Sequence, residues 1–185
     1  MAAIAIIGDG PGGLSAALFI ARAGHEVTVY GADETVMHYA FLNNYLGIPA
    51  ISGTDFQASA RQQVLNAGAT LSNERVTEVV VTGDQIEVTT EAGTNSADFV
   101  VLGEGKQMPL ADALGIQTSD GDDEIVAVDR NGKTEIEGVY VVGRSARPTR
   151  SQAIISAGDG AAAALDILSQ IEGKDVQDWD SPPKD

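Results

Sequence analysis

The 185-residue sequence contains no cysteine. That excludes a disulfide, a thiol nucleophile, a Cys-ligated metal and a CxxC redox pair formed within the chain. Aromatic residues make up only 5%, so a core must be built from small aliphatic side chains. Basic residues are scarce: 11 Lys+Arg stand against 27 Asp+Glu, for a formal charge of −16. A broad basic face for nucleic acid is excluded on that balance, as is docking to an anionic membrane. Apolar runs of membrane-spanning length are also lacking. Met1 to Ile7 has no basic flank and reads as a first strand rather than a signal peptide, so a cytoplasmic protein is expected. Only four of the basic residues are lysine, and the acids are spread along the chain. The surface reads as one adapted to high salt, as in halophilic proteins.

What is present is 43% apolar residues and 21 glycines, a composition suited to an α/β domain. Ala3-Ile4-Ala5-Ile6-Ile7 is a short apolar run fit for a strand buried on both faces. Gly8 to Gly13 breaks it. Leu14, Ala17, Leu18 and Ala21 then recur at helical spacing up to Gly24, and Val27 to Tyr30 is a second strand, completing a βαβ unit. After a loop at 31–53, Thr54-Asp55-Phe56-Gln57 has the form of a capping box, opening a helix with Phe56, Ala60, Val64 and Ala67 on its apolar stripe. Residues 76–98 alternate with period two and turn at Gly83-Asp84 and Gly93, which predicts an antiparallel meander. Phe99 to Leu102 returns to the buried-strand pattern. The stretch 103–124 reads mostly as loop, Ile125–Val128 and Val139–Val142 as strands, and Ile154 to Leu168 as a closing helix with a small-residue face. No internal repeat or domain boundary is visible. One domain over 1–172 followed by a polar acidic tail, 173–185, is expected.

Gly8-Asp9-Gly10-Pro11-Gly12-Gly13 fits GxGxxG, follows a buried strand and opens a helix. In that setting the first glycine permits the tight turn, the second admits a pyrophosphate to the backbone, and the third allows close helix–strand packing. Free N–H groups and the helix dipole then favour phosphate. Dinucleotide binding is expected over an unliganded glycine turn. The ribose-binding acid normally ends the second strand. Here Tyr30-Gly31 stands there, with Asp33 and Glu34 just beyond as candidates.

With those features in order, residues 3–170 resemble the FAD-binding half of the thioredoxin reductase-like flavoproteins, within the pyridine nucleotide-disulfide oxidoreductases. The resemblance rests on four segments. They are Ile6 to Gly13; Asn43-Asn44-Tyr45-Leu46-Gly47, similar to "EN(Y/W)PG"; Val100 to Gly105, at the place of "ATG"; and Gly138 to Gly143 with Ser151-Gln152-Ala153 and Ser156 to Gly160, similar to "GV(F/Y)AAGD…RQA…AG.G". It implies an α/β, three-layer, Rossmann-like fold with a parallel sheet and a small antiparallel meander. It also implies FAD as cofactor, held by Gly8, Gly10, Pro11, Gly12, Gly13, Glu34, Asn44, Gly103, Gly143, Arg144, Gln152 and Ala153, with NAD(P)H as a transient electron donor.

Three departures bear on function. Only about 35 residues join Gly103 to Gly138, where family members insert an NAD(P)H-binding domain, and no second glycine fingerprint exists. Arg144 replaces the family's ribityl-binding aspartate, and a guanidinium donates where a carboxylate accepts. Glu104 replaces the "ATG" threonine. The expected protein is a minimal single-domain flavoprotein, not a thioredoxin reductase, that exchanges electrons or hydride with an external donor or partner protein. A non-enzymatic nucleotide-binding module of the same descent is the alternative, and binding of NAD(P)H or an ADP-like ligand at the first fingerprint is a third. Homodimerisation, or docking to a partner, is expected where the inserted domain is missing.

Arg144, Arg147 and Arg150 are three of seven arginines. They read either as an anion clamp, since Arg forks match phosphate, or as partners of surface carboxylates. His38 reads as a hydrogen-bonded loop histidine rather than a proton relay. Tyr39, Phe41 and Tyr45 read equally as ring-stacking groups and as loop packing.

Overall fold

The computed structural model describes residues 1–83, 85–119 and 125–178. Ala3–Ile7 forms strand β1, Pro11–Arg22 helix α1 and Glu26–Tyr30 strand β2. The strands pair in parallel with Ile4 opposite Val27 and Ile6 opposite Val29. Pro11 opens α1, where its missing N–H costs no hydrogen bond.

The loop expected at 31–53 carries a 3₁₀ turn at Val36–Tyr39 and a short antiparallel ribbon, β3 (Phe41–Leu42) with β4 (Ile51–Ser52). Helix α2 spans Gly53–Asn66, and its capping box lies two residues before the one expected at Thr54–Gln57. Ser52 Oγ accepts from Asp55 N at 3.1 Å and donates to Asp55 Oδ2 at 2.7 Å. Thr54 instead bonds His38, and Gln57 is free to turn into the core, where it is fully buried.

Strand β5 (Thr70–Ser72) pairs beside β2. The meander is β6 (Val76–Thr82), β7 (Gln85–Thr90) and β8 (Gly93–Ala97); of its expected Gly83-Asp84 turn, Asp84 lies outside the described residues. Strand β9 (Phe99–Leu102) returns to pair in parallel with β1. The stretch 103–124 is more regular than expected. It holds helix α3 (Pro109–Ala113) and strand β10 (Thr118–Ser119), which pairs with β11 (Ile125–Val126); residues 120–124 lie outside the described residues. The cause is Glu104, whose carboxylate accepts the N–H groups of Leu110 and Ala111 at 3.0 and 3.1 Å and so caps a five-residue helix. Strand β12 is Val139–Val141, and α4 runs Ala153–Glu172, ended by Gly173 in a left-handed turn. Of the expected tail, 179–185 lies outside the described residues.

The parallel sheet runs β12-β9-β1-β2-β5. Ile4, Ile6, Val27, Val29, Val101 and Tyr140 point from it into a core shared with α1, α4 and Val64 of α2. Ala5, Ile7, Val100, Leu102, Val139 and Val141 point the other way, into a core closed by the meander and α3. The result is three layers, helix, parallel sheet and meander, as the sequence predicts. By length and composition α4 is apolar enough to cross a membrane, contrary to the expectation that no segment qualifies. Its Ala163, Ala164 and Ile167 are fully buried in the core with α1, so one face of α4 packs on the domain.

Candidate functional site

The chain leaves β1 and crosses to β2 on one side, and later returns to β9 on the other. Such a reversal opens a crevice beyond the carboxyl ends of β1 and β9, the usual ligand position in open α/β sheets. The Gly8–Gly13 turn lines it. Gly8 sits at φ 102°, and a Cβ there would lie 2.8 Å from the carbonyl carbon of Gly103. A side chain would therefore separate the two strand ends, whose link is the bond from Gly103 N to Ile7 O at 2.7 Å. Gly10 faces open space, since a Cβ on it would meet only Thr35 Oγ1, at 3.8 Å.

Two helices begin at this place. Helix α1 starts from Gly10 and α4 from Gln152, neither has a side-chain cap, and neither has an acid in its first turn. They meet closely: a Cβ on Gly12 would lie 3.2 Å from Ser156 O and 3.6 Å from Gly143 N. Unpaired N–H groups and both dipoles thus favour an anion at this corner. Gly143 turns the chain at φ 67° after β12. Next to it Arg144 holds a buried Nε with no hydrogen-bond partner among the described residues. A buried donor without an acceptor is costly, and an anionic or carbonyl-bearing ligand would satisfy it. The residues present therefore fit a dinucleotide: an open glycine cradle, two uncapped helix starts and an orphaned guanidinium N–H.

The other predicted residues fall as follows. Asn44 Nδ2 donates to Gln152 Oε1 at 2.9 Å, so the 43–47 loop is tied to the start of α4 beside Ala153. Pro11 and Tyr45 help line an apolar cavity of about 330 Å³ between α1, α2 and that loop, with Leu14, Ile48 and Phe56. Tyr45 packs on Phe56, ring centroids 5.6 Å apart, whereas Tyr39 and Phe41 are exposed. Glu34 is exposed. The Asp33 carboxylate and carbonyl both bond His38 Nε2, and Thr54 Oγ1 takes His38 Nδ1, so this histidine is engaged on both ring nitrogens.

The three arginines occupy three environments. Arg147 Nε pairs with Asp159 at 2.8 and 3.1 Å, and Arg150 is exposed and donates to the Thr149 carbonyl. Only Arg144 carries the orphaned donor. Ser145 Oγ accepts from Gly105 N at 3.0 Å and donates to Gly105 O at 3.1 Å, joining the turns after β9 and β12. Burial pushes the Glu104 carboxyl above the usual range, against the lowering effect of its two backbone N–H partners, and nearby Asp112 raises it further.

Sequence reasoning missed a buried hub at Asp9, the first variable position of the fingerprint. Its carboxylate pairs with Arg61 of α2 and accepts Asp33 N at 3.0 Å, while its carbonyl accepts Gln57 Nε2 at 2.6 Å. Gln57 Oε1 is buried without a partner among the described residues. The available signal was an acid inside the glycine turn, combined with Tyr30 and then Gly31 where the second strand should end in an acid.

Residues 2–71 match the pyridine nucleotide-disulphide oxidoreductase family. The thioredoxin reductase of Streptomyces clavuligerus is 34% identical over 165 residues, an alignment covering 78% of this chain and 51% of that protein. The chain thus spans about half the length of the curated relative it matches. Among solved structures, a thioredoxin reductase from Gloeobacter violaceus superposes with a TM-score of 0.82 at 17% identity, covering 96% of this chain and 98% of that one. A ferredoxin-flavin thioredoxin reductase from Clostridium acetobutylicum gives 0.78 at 21% identity, covering 93% and 98%. Residues 2–71 thus carry the likeness to the pyridine nucleotide-disulphide oxidoreductases, and the chain has the fold seen in thioredoxin reductases of known structure.

Proposed function

We propose that the chain binds FAD in the crevice at Gly8–Gly13 and serves as a small flavin-dependent oxidoreductase whose electron donor and acceptor are external. The observation that carries this reading is the meeting of two uncapped helix starts at one glycine cradle, beside the turn at Gly143 that leads into Arg144. When bound, the flavin supplies hydride or single-electron exchange. The protein's part is to hold the diphosphate at Gly10–Gly13, to fix the 43–47 loop on α4 through Asn44 and Gln152, and to present a cation at Arg144.

A reaction of the thioredoxin reductase type needs a cysteine pair, and this sequence has none; the acceptor is accordingly a different molecule, or a partner protein that brings the thiols. NAD(P)H reaching the flavin face from solution is the simplest donor. The second reading, a nucleotide-binding module without redox activity, is favoured by Arg144 in the place of the family's aspartate.

Purification in high salt separates the two. A yellow preparation that releases FAD on denaturation, and bleaches under NADH or NADPH without oxygen, supports the oxidoreductase. A colourless protein that takes up no added FAD refutes it, and nucleotide uptake without flavin leaves the binding module.

A further inference from the structure

We infer that Asp9 reads the adenosine ribose of the bound dinucleotide, in place of the acid that ordinarily ends the second strand; this rests on the dinucleotide reading above. In dinucleotide-binding folds that acid projects into the crevice and accepts a ribose hydroxyl. Here β2 ends at Tyr30 and the next residue is Gly31, which has no side chain to offer. The space it leaves is filled. A Cβ on Gly31 would lie 2.5 Å from Asp9 Cγ and 2.8 Å from Asp9 Oδ1. The Asp9 carboxyl therefore stands where a side chain on residue 31, the first after the strand end, would begin.

Its orientation is fixed from behind. Arg61 Nη1 and Asp33 N both bond Oδ2, and Gln57 anchors the Asp9 carbonyl. Among the described residues nothing donates to Oδ1. An ionised carboxylate oxygen only accepts, and a ribose diol has hydroxyls to donate. Of the turn's glycines only the adjoining Gly10 has open space over its α-carbon, so Oδ1 belongs to the residue next to the place where a ligand can lie on the turn. Asp33 contributes its backbone N–H to this arrangement, while its carboxylate is engaged with His38. Arg61 is a positioning residue: it aims the carboxylate and touches the ligand only through it.

The test is binding of ADP, 2′-deoxy-ADP and 3′-deoxy-ADP to the whole chain by calorimetry, with FAD and FMN as a second pair. A charge-assisted hydrogen bond corresponds to about tenfold or more in affinity, so ADP should bind about tenfold tighter than at least one deoxy analogue. The double variant Asp9→Ala/Arg61→Met removes both partners together and leaves no unpaired buried charge. It should bring ADP and its analogues to within about twofold and weaken FAD while leaving FMN unchanged. Wild-type protein that binds ADP and both analogues equally overturns the inference alone, and does so even if the variant fails to fold. A double variant that weakens all three by the same factor marks a purely structural pair and overturns it too. Wild-type protein that binds none of the nucleotides overturns the dinucleotide reading along with it.

Discussion

Two glycines on one helix give opposite responses to the same substitution. Gly158 and Gly160 lie two residues apart in α4, Gly158 exposed and Gly160 buried. A Cβ on Gly158 meets nothing within 4 Å. Gly158→Ala should therefore report helix propensity alone, a gain of about 0.5–1 kcal/mol. A Cβ on Gly160 would lie 2.8 Å from the Gly12 carbonyl carbon, closer still to its oxygen, and 3.0 Å from Ala16 N. Backbone atoms of α1 cannot rotate away as a side chain could, so α1 and α4 must separate by roughly an ångström. Gaps of that size forfeit a quarter to a half of each dispersion contact across the seam, and overpacking typically costs about 1–3 kcal/mol. With the propensity gain set against it, Gly160→Ala should still destabilise by about 1–2 kcal/mol. For a chain of this length each kcal/mol moves Tm by roughly 2–4 °C, so thermal denaturation followed by circular dichroism should show the two variants on opposite sides of the parent. The displaced atoms belong to Gly12 of the cradle, so Gly160→Ala should also weaken nucleotide binding while Gly158→Ala leaves it unchanged. Both variants shifting Tm in the same direction would refute the close packing of α1 on α4 from which the magnitudes are worked.

Other outcomes follow from buried polar groups. Burial pushes the Tyr140 phenol well above its ordinary pKa, aided by its hydrogen bond to Asp166 at 2.5 Å and by that carboxylate's charge. The folded state thus keeps a proton that the unfolded chain releases near pH 10, so stability falls as pH rises beyond about 10, by up to about 1.4 kcal/mol per unit. Tyr140→Phe should flatten that alkaline decline in denaturant titrations; an unchanged slope counts against the assignment. The raised Glu104 carboxyl has the same sign in the acid range, its unfavourable contribution growing as pH rises through and above the ordinary carboxylate value. Glu104→Gln should raise the urea midpoint at neutral pH relative to its value in acid. Gln57→Glu places a carboxylate in a fully buried site against the Asp9 carbonyl. It should cost about 2 kcal/mol or more at neutral pH, with the deficit shrinking on acidification as the new group is protonated. Finally, a net charge of −16 repels itself in the folded state, so added salt should raise Tm, and a Tm that falls with salt would sink the reading of a salt-adapted surface.

The features legible in the sequence are those set by neighbours along the chain. A buried strand running into a glycine turn and a helix needs only local spacing, and β1, α1 and β2 form where it predicts. The meander follows from period-two alternation in the same way. Where two local solutions compete, the sequence does not choose. Ser52 and Thr54 each stand three residues before a side chain able to complete a box, and the outcome turns on tertiary partners, His38 for Thr54 and Asp9 for Gln57. Helix α3 escapes notice because its cap, Glu104, acts on N–H groups six and seven residues ahead, beyond the N-cap pattern. The arginine cluster looks uniform in sequence, but its members find different partners, Asp159 for Arg147 and the Thr149 carbonyl for Arg150, so adjacency says nothing about shared function. The Asp9 hub is the most instructive case. Residues 9, 31, 33, 57 and 61 converge only when α2 packs beside the fingerprint, and the motif treats position 9 as free. A strand that ends in Tyr30-Gly31 without an acid looks like a loss of ribose recognition; in three dimensions Gly31 is the vacancy that admits the Asp9 carboxylate from the turn after the neighbouring strand β1.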